Sequence, residues 1–176
     1  MARPTLATAW LDACSGCHMS MLDLDEGIAP LLLERAELVY CPLLDAKELP
    51  ARVDVCLISG AVSTDEDLHK ARLARQRARL LVAFGDCAVT GNVPAMRNRV
   101  GPLAVLEQAY TDRVENPQVP CEGVPRLLER VRPLHEVVTV DAFIQGCPPH
   151  PELIGFVLNE LLEGRLPGRG IRTKFG

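Results

Sequence analysis

"VDVCLISGAVSTDEDLHKARLARQRARLLVAFGDC", residues 53–87, decides the fold. It begins and ends on short apolar runs, 53–59 and 80–85, each the length of a strand. Between them Ser63, followed three residues later by Glu66, reads as a capping box, the exchange of side-chain and backbone hydrogen bonds that starts a helix. Leu68, Ala71, Leu73 and Ala74 then sketch an apolar face, with Arg72, Arg75, Arg77 and Arg79 over the rest. Strand, helix, strand is a βαβ unit. Runs that are apolar at nearly every position, rather than every second one, belong to parallel strands covered on both faces.

The pattern extends in both directions. Apolar runs at 5–11, 37–44 and 137–144 add three strands, giving an α/β chain built on a parallel sheet. The last helix opens at "HPEL", where Pro151 suits the first helical position because the N–H it lacks would be unpaired there anyway. Leu153, Val157 and Leu161, joined by Ile154 and Leu158, give that helix one apolar face, and "EGRLPGRG" stops it. "DEGIAPLLLERAE" (25–37) is interrupted by Pro30 and reads as a broken helix. Residues 92–123 are rich in Gly and Pro and read as ordered loop with one short helix near 103–109. With no repeat, low-complexity tract or linker, 1–176 reads as a single domain.

Composition narrows the function. Hydrophobic residues make up 48% and charged residues 24%, ordinary for a soluble globular chain. A net charge of −4 without blocks of like charge disfavours a nucleic-acid partner. The longest apolar runs fall far short of the ~20 residues of a membrane span. The N-terminal stretch lacks the apolar core of a secretory signal, so a cytoplasmic location is expected. Seven cysteines, an odd number in such a chain, favour metal or redox use over a disulfide framework.

Cys14 and Cys17, in "LDACSGCHMS" (11–20), follow the first strand. Cys87 follows the fourth, and Cys147, in "QGCPPHPE" (145–152), follows the fifth. In a parallel sheet the C-terminal strand ends share one edge, where doubly wound folds bind their ligands. Four thiols spaced C-x2-C-x69-C-x59-C are therefore expected to converge. Glycines beside each of them permit close backbone approach. Zinc and iron–sulfur clusters both accept four thiolates. Structural zinc usually draws two close C-x2-C pairs, whereas the 2+1+1 arrangement here suits a bulkier [4Fe–4S] cube. Zinc stays open on spacing alone, as does a thioredoxin-like dithiol at "CSGC" that would leave Cys87 and Cys147 as coincidences.

The remaining candidates have plainer readings. Cys56, mid-strand, and Cys41 read as small buried hydrophobes, and Cys121 as an incidental loop residue. His18 reads as a partly exposed loop histidine, His150 as part of a helix start, His69 as solvated. Asp23, Asp25 and Glu26 form an acidic group of the kind that favours a helix N-terminus. No nucleotide-binding loop, nucleophile elbow or metalloprotease motif is present. A thiolate site without substrate machinery points to electron relay.

With "LDACSGCHMS", "GDCAVTGNVPAMRN" and "QGCPPHPE" together, spanning 11–152, the chain resembles the small subunit of [NiFe] hydrogenases, particularly the cytoplasmic bidirectional, NAD-reducing type. The resemblance implies a flavodoxin-like doubly wound domain holding one proximal [4Fe–4S] cluster through Cys14, Cys17, Cys87 and Cys147. It implies a partner large subunit bearing the Ni–Fe centre, and flavin- and iron–sulfur-containing diaphorase subunits that pass electrons to NAD. Periplasmic members carry a twin-arginine leader and a cluster-rich C-terminal domain, and coenzyme-F420-reducing relatives add a ferredoxin-like tail. Neither is seen here, so a single cluster is expected. Many members place a Glu two residues after the second cysteine; Met19 stands there, so its proton-handling role does not transfer. The complex I cluster subunit shares the "GCPP" context but has adjacent cysteines in its first motif, which "CSGC" lacks. The long stretch between Cys87 and Cys147 is expected to dock the diaphorase half. Two other functions compete: a flavodoxin-like module binding FMN at the same sheet edge, and a structural zinc protein.

Overall fold

In the computed structural model, which describes residues 3–112 and 114–167, the strands are β1 (Thr5–Trp10), β2 (Glu37–Tyr40), β3 (Val53–Ser59), β4 (Val62–Thr64), β5 (Ala78–Phe84), β6 (Leu127–Arg132) and β7 (Ala142–Ile144). The helices are α1 (Gly16–Leu22), a single turn α2 (Ile28–Pro30), α3 (Asp65–Arg77), α4 (Asp86–Thr90), α5 (Pro102–Tyr110) and α6 (Pro151–Leu162). Five strands form one parallel sheet in the order β2-β1-β3-β5-β7. Counting only those five, this is the flavodoxin order 2-1-3-4-5, whose direction reverses between β1 and β3.

Both faces of the sheet are buried, which explains the continuous apolar runs. Val55 and Leu57 of β3 and Val82 and Phe84 of β5 pack with Ile154, Val157, Leu158 and Leu161 of α6. Cys56 and Ile58, and Leu81 and Ala83, face the opposite layer with Ala71 and Ala74 of α3. Asp54 ties the strand starts together. Its Oδ2 accepts from Thr5 N and Thr5 Oγ1, both at 2.9 Å, and Arg79 Nε lies 3.4 Å from Oδ1. The backbone N–H of Thr5, then its hydroxyl and Arg79, outweigh partial burial and hold the Asp54 carboxyl below its ordinary range. Such a group stabilises the fold above its unfolded value of about 3.9, and the contribution is lost as pH falls through the lower folded value. Asp54→Ala should therefore cost about 1 kcal/mol at pH 7. In urea titrations the gap from wild type should narrow in acid; a gap that widens would contradict this account.

Sequence expectations hold for β3 and nearly for β1 and β5. They miss in four places. The helix α3 is capped by Thr64, not Ser63: Asp67 N donates to Thr64 Oγ1 and Thr64 N to Asp67 Oδ2. Ser63 instead donates to Asp12 Oδ2 at 2.6 Å, reaching the first cysteine loop. The run 37–44 is a strand only to Tyr40, and 137–144 only from Ala142, because Leu134–Glu136 forms a 3-10 turn whose backbone also takes up Val137 and Val138. Strand β6 has no counterpart in the sequence pattern; it pairs antiparallel with β4 outside the main sheet. The broken helix and the short helix α5 appear where expected. Among the described residues no helix is long and apolar enough to cross a membrane.

Candidate metal centre

Each expected cysteine sits just beyond a strand of the main sheet. Cys14 lies in the β1–α1 turn, Cys17 in the first turn of α1, Cys87 in the first turn of α4, and Cys147 between β7 and α6. The turn after β1 is pinned to the one after β3: Leu11 N donates to Ser59 O, and Asp12 and Ala61 exchange backbone bonds at 3.2 and 3.0 Å. Gly60 makes that crossing feasible, since a Cβ there would stand 2.8–2.9 Å from the backbone of Leu11 and Asp12. The Cys87 and Cys147 turns are clasped in the same way. Asp86 N donates to Gly146 O at 2.9 Å, and Asp86 Oδ1 accepts from Gly146 N at 2.8 Å. Ser20 Oγ, from α1, donates to Pro149 O at 2.6 Å and draws the first loop to the last.

The four thiols share one electrostatic neighbourhood. Burial, then Cys87, Cys14 and Cys147, then Asp86, push the Cys17 thiol up to about 12. Burial, Cys147 and Cys14 also raise Cys87, against a lowering by the Asn92 amide. Bare thiolates this close together repel, and a positive centre among them would favour their deprotonation. Gly85 shows how closely the loops meet. A Cβ on it would overlap Cys17 Sγ and stand 3.5 Å from Gly146 O. Four thiols, with a backbone cleared of Cβ beside one of them, fit the chemistry of a thiolate-bound cluster. Among the described residues, no three His, Cys, Asp or Glu side chains form a closed shell around one metal ion. The arrangement is a convergence of donors.

His18 departs from its sequence reading. It is only 3% exposed, because it lies in α1 with its ring edge-on to Trp10 (5.2 Å between centroids) and Phe84 (5.5 Å). Nδ1 stands 3.3 Å from Ser59 Oγ, and burial pushes its pKa down to about 4, so the ring is neutral at pH 7. Trp10, His18 and Phe84 thus pack edge to face in series, at the residue that follows Cys17. Cys56 is fully buried and Cys41 nearly so, as expected. Cys121 is exposed and lines an apolar cavity of about 640 Å³ between α5 and residues 119–129, away from the four thiols. Met19, Asp23, Asp25 and Glu26 are exposed, and His150 is the N-cap of α6. Sequence reasoning missed Asn92, whose Nδ2 lies 3.3 Å from Cys147 Sγ and 4.0 Å from Cys87 Sγ. The "TGN" following "GDCAV" is the only signal that points to it.

Known proteins share this architecture. The family described as NADH ubiquinone oxidoreductase, 20 Kd subunit, matches residues 14–161. A subunit of the F420-non-reducing hydrogenase of Methanothermobacter marburgensis is 37% identical over 90% of the chain, which spans 53% of that relative. The delta subunit of the NAD-reducing hydrogenase HoxS of Cupriavidus necator is 39% identical over 91% of the chain and 79% of its own length. A chain of an NAD+-reducing [NiFe]-hydrogenase solved in the H2-reduced state superposes with a TM-score of 0.91 at 39% identity, covering 98% of both chains. A Dm. baculatum [NiFeSe]-hydrogenase chain, at 17% identity and TM-score 0.63, shares the fold. The chain thus spans about half the length of some curated relatives and 79% of another.

Proposed function

Because the chain belongs to the NADH ubiquinone oxidoreductase 20 Kd subunit family, we propose that it is the electron-transfer small subunit of a hydrogen:NAD oxidoreductase. On this reading Cys14, Cys17, Cys87 and Cys147 hold one proximal [4Fe–4S] cluster. The observation that carries it is the meeting of thiols from three strand-end loops, with Cys17 Sγ against Gly85 and one Asn92 amide reaching Cys87 and Cys147, in a chain similar over nearly its whole length to one from an NAD+-reducing [NiFe]-hydrogenase.

A [4Fe–4S] cube bound there supplies a one-electron relay. The chain's own residues do the rest. The four cysteines bind, Gly85 leaves the space that Cys17 needs, and Asp86 locks the Cys87 turn to the Cys147 turn. Trp10, His18 and Phe84 pack their rings together beside Cys17 and hold the start of α1 in place. The partners on this reading are a Ni–Fe-bearing hydrogenase large subunit and diaphorase subunits carrying flavin and iron–sulfur groups, in the cytoplasm, with 1–176 acting as one domain. Val93, Met96, Val100, Leu103 and Tyr110 are exposed on the long Cys87–Cys147 connection, an apolar surface suited to a protein partner, which we assign to the diaphorase half. The family description also favours a complex I-like cluster subunit, against which "CSGC" weighs through its spaced cysteines.

The test is iron and sulfide content of the anaerobically purified chain, with low-temperature EPR before and after dithionite. About four irons per chain and a signal appearing on reduction are expected. In affinity purification a nickel-containing subunit should accompany the chain, and deleting residues 112–120 should release the flavin-containing subunits while the iron remains. Zinc without iron, or flavin without either, would remove the relay reading.

A further inference from the structure

One neutral donor beside the thiols has no part in ligation. Asn92 Nδ2 stands 3.3 Å from Cys147 Sγ and, at the outer limit of an N–H···S contact, 4.0 Å from Cys87 Sγ. Its position is built. The backbone has φ 34, the left-handed region that asparagine tolerates better than most side chains. Asn92 N donates to Thr90 Oγ1 at 3.3 Å, and that hydroxyl donates to Asp86 O at 2.9 Å. The amide thus rides on the Cys87 segment while reaching a sulfur from the far loop. Its two ends are not interchangeable. Turning Oδ1 to a thiolate would set acceptor against acceptor, so the NH2 group faces sulfur.

We propose that Asn92 sets the reduction potential of the cluster, donating N–H···S hydrogen bonds to two ligand sulfurs and raising the potential above what the four thiolates alone would give. The inference rests on the reading of Cys14, Cys17, Cys87 and Cys147 as ligands. Reduction adds one electron and increases the negative charge on the sulfurs. A donor dipole aimed at them stabilises the reduced state more than the oxidised one.

EPR-monitored potentiometric titration of the full chain tests this, with Asn92→Asp and Asn92→Gly beside wild type. Aspartate keeps the shape and the turn but replaces the donor with an anionic acceptor. Its cluster should be about tenfold harder to reduce, a midpoint lower by about 59 mV for one electron. Glycine keeps the left-handed turn and deletes the amide. In wild type carrying 15N-amide asparagine, pulsed EPR of the reduced cluster should show a nitrogen coupling that Asn92→Gly abolishes, a signature no purely structural role produces. Four irons with an unchanged potential in Asn92→Asp, or no 15N coupling in wild type, overturns the inference. Should Asn92→Asp lose its iron, the 15N coupling decides. Wild type without iron overturns the ligand reading instead.

Discussion

Gly85→Ala is expected to reduce iron from about four per chain to near zero. The backbone there has φ 82 and ψ 162, a region open essentially to glycine alone and costing other residues ~1–3 kcal/mol. The added methyl would also occupy the position of Cys17 Sγ. Relieving that overlap means moving α1 or parting the β5–α4 turn from β7, to which Gly85 N is bonded through Ile144 O at 2.7 Å. Either movement breaks the convergence of thiols. The sheet itself, with its two buried faces, should survive. The expected result is therefore a folded chain by far-ultraviolet circular dichroism that no longer retains iron. Full iron in Gly85→Ala would show that the Cys17 sulfur is not held where the loops meet.

Replacing the cysteines one at a time with serine should divide them into two groups. Cys17→Ser, Cys87→Ser and Cys147→Ser are each expected to lose the cluster or convert it to a form with fewer irons, visible as a changed EPR signal. A serine oxygen is a poorer partner for iron, and three thiols alone leave one corner of a cube without its sulfur ligand. Cys56→Ser should keep its iron. Its cost lies in the core, where a fully buried mid-strand side chain acquires a hydroxyl with no assured partner, about 1–3 kcal/mol of stability. Burial alone raises the Cys56 thiol to about 12, with a small opposing effect from Arg75. Cys17 reaches a similar value with three other cysteines contributing. Equal iron in all four variants would contradict the ligand assignment.

The residues that carried the sequence reading were those whose roles repeat a local rule. Apolar runs at 53–59 and 80–85 are legible because the sheet buries both faces, and the cysteines are legible because parallel strands end together. What the sequence hid depended on geometry several residues wide. "VSTDED" offers two overlapping capping boxes, and Thr64 with Asp67 wins while Ser63 is drawn to Asp12. Strand β6, "LLERVR", carries charges at exposed and half-exposed positions because it pairs only with β4, outside the main sheet, so it lacks the core strands' pattern. His18 looks like a loop residue until Trp10 and Phe84 are placed on either side of it. Asn92 acts across a gap of 55 residues to Cys147, a pairing no local window contains.

The clasp between Asp86 and Gly146 also sets a schedule for biosynthesis. The first thiol pair leaves the ribosome 130 positions ahead of Cys147. At about 5–20 residues per second, that is a wait of roughly 6–26 s. Throughout it, Cys14 and Cys17 have no closed site, because β7 has yet to join the sheet edge and bring Gly146 to Asp86. If these four cysteines hold one cluster, as proposed, its installation has to wait until translation has passed the last strand. Until then the nascent pair is open to oxidation to a disulfide, which would compete with iron for the same two sulfurs.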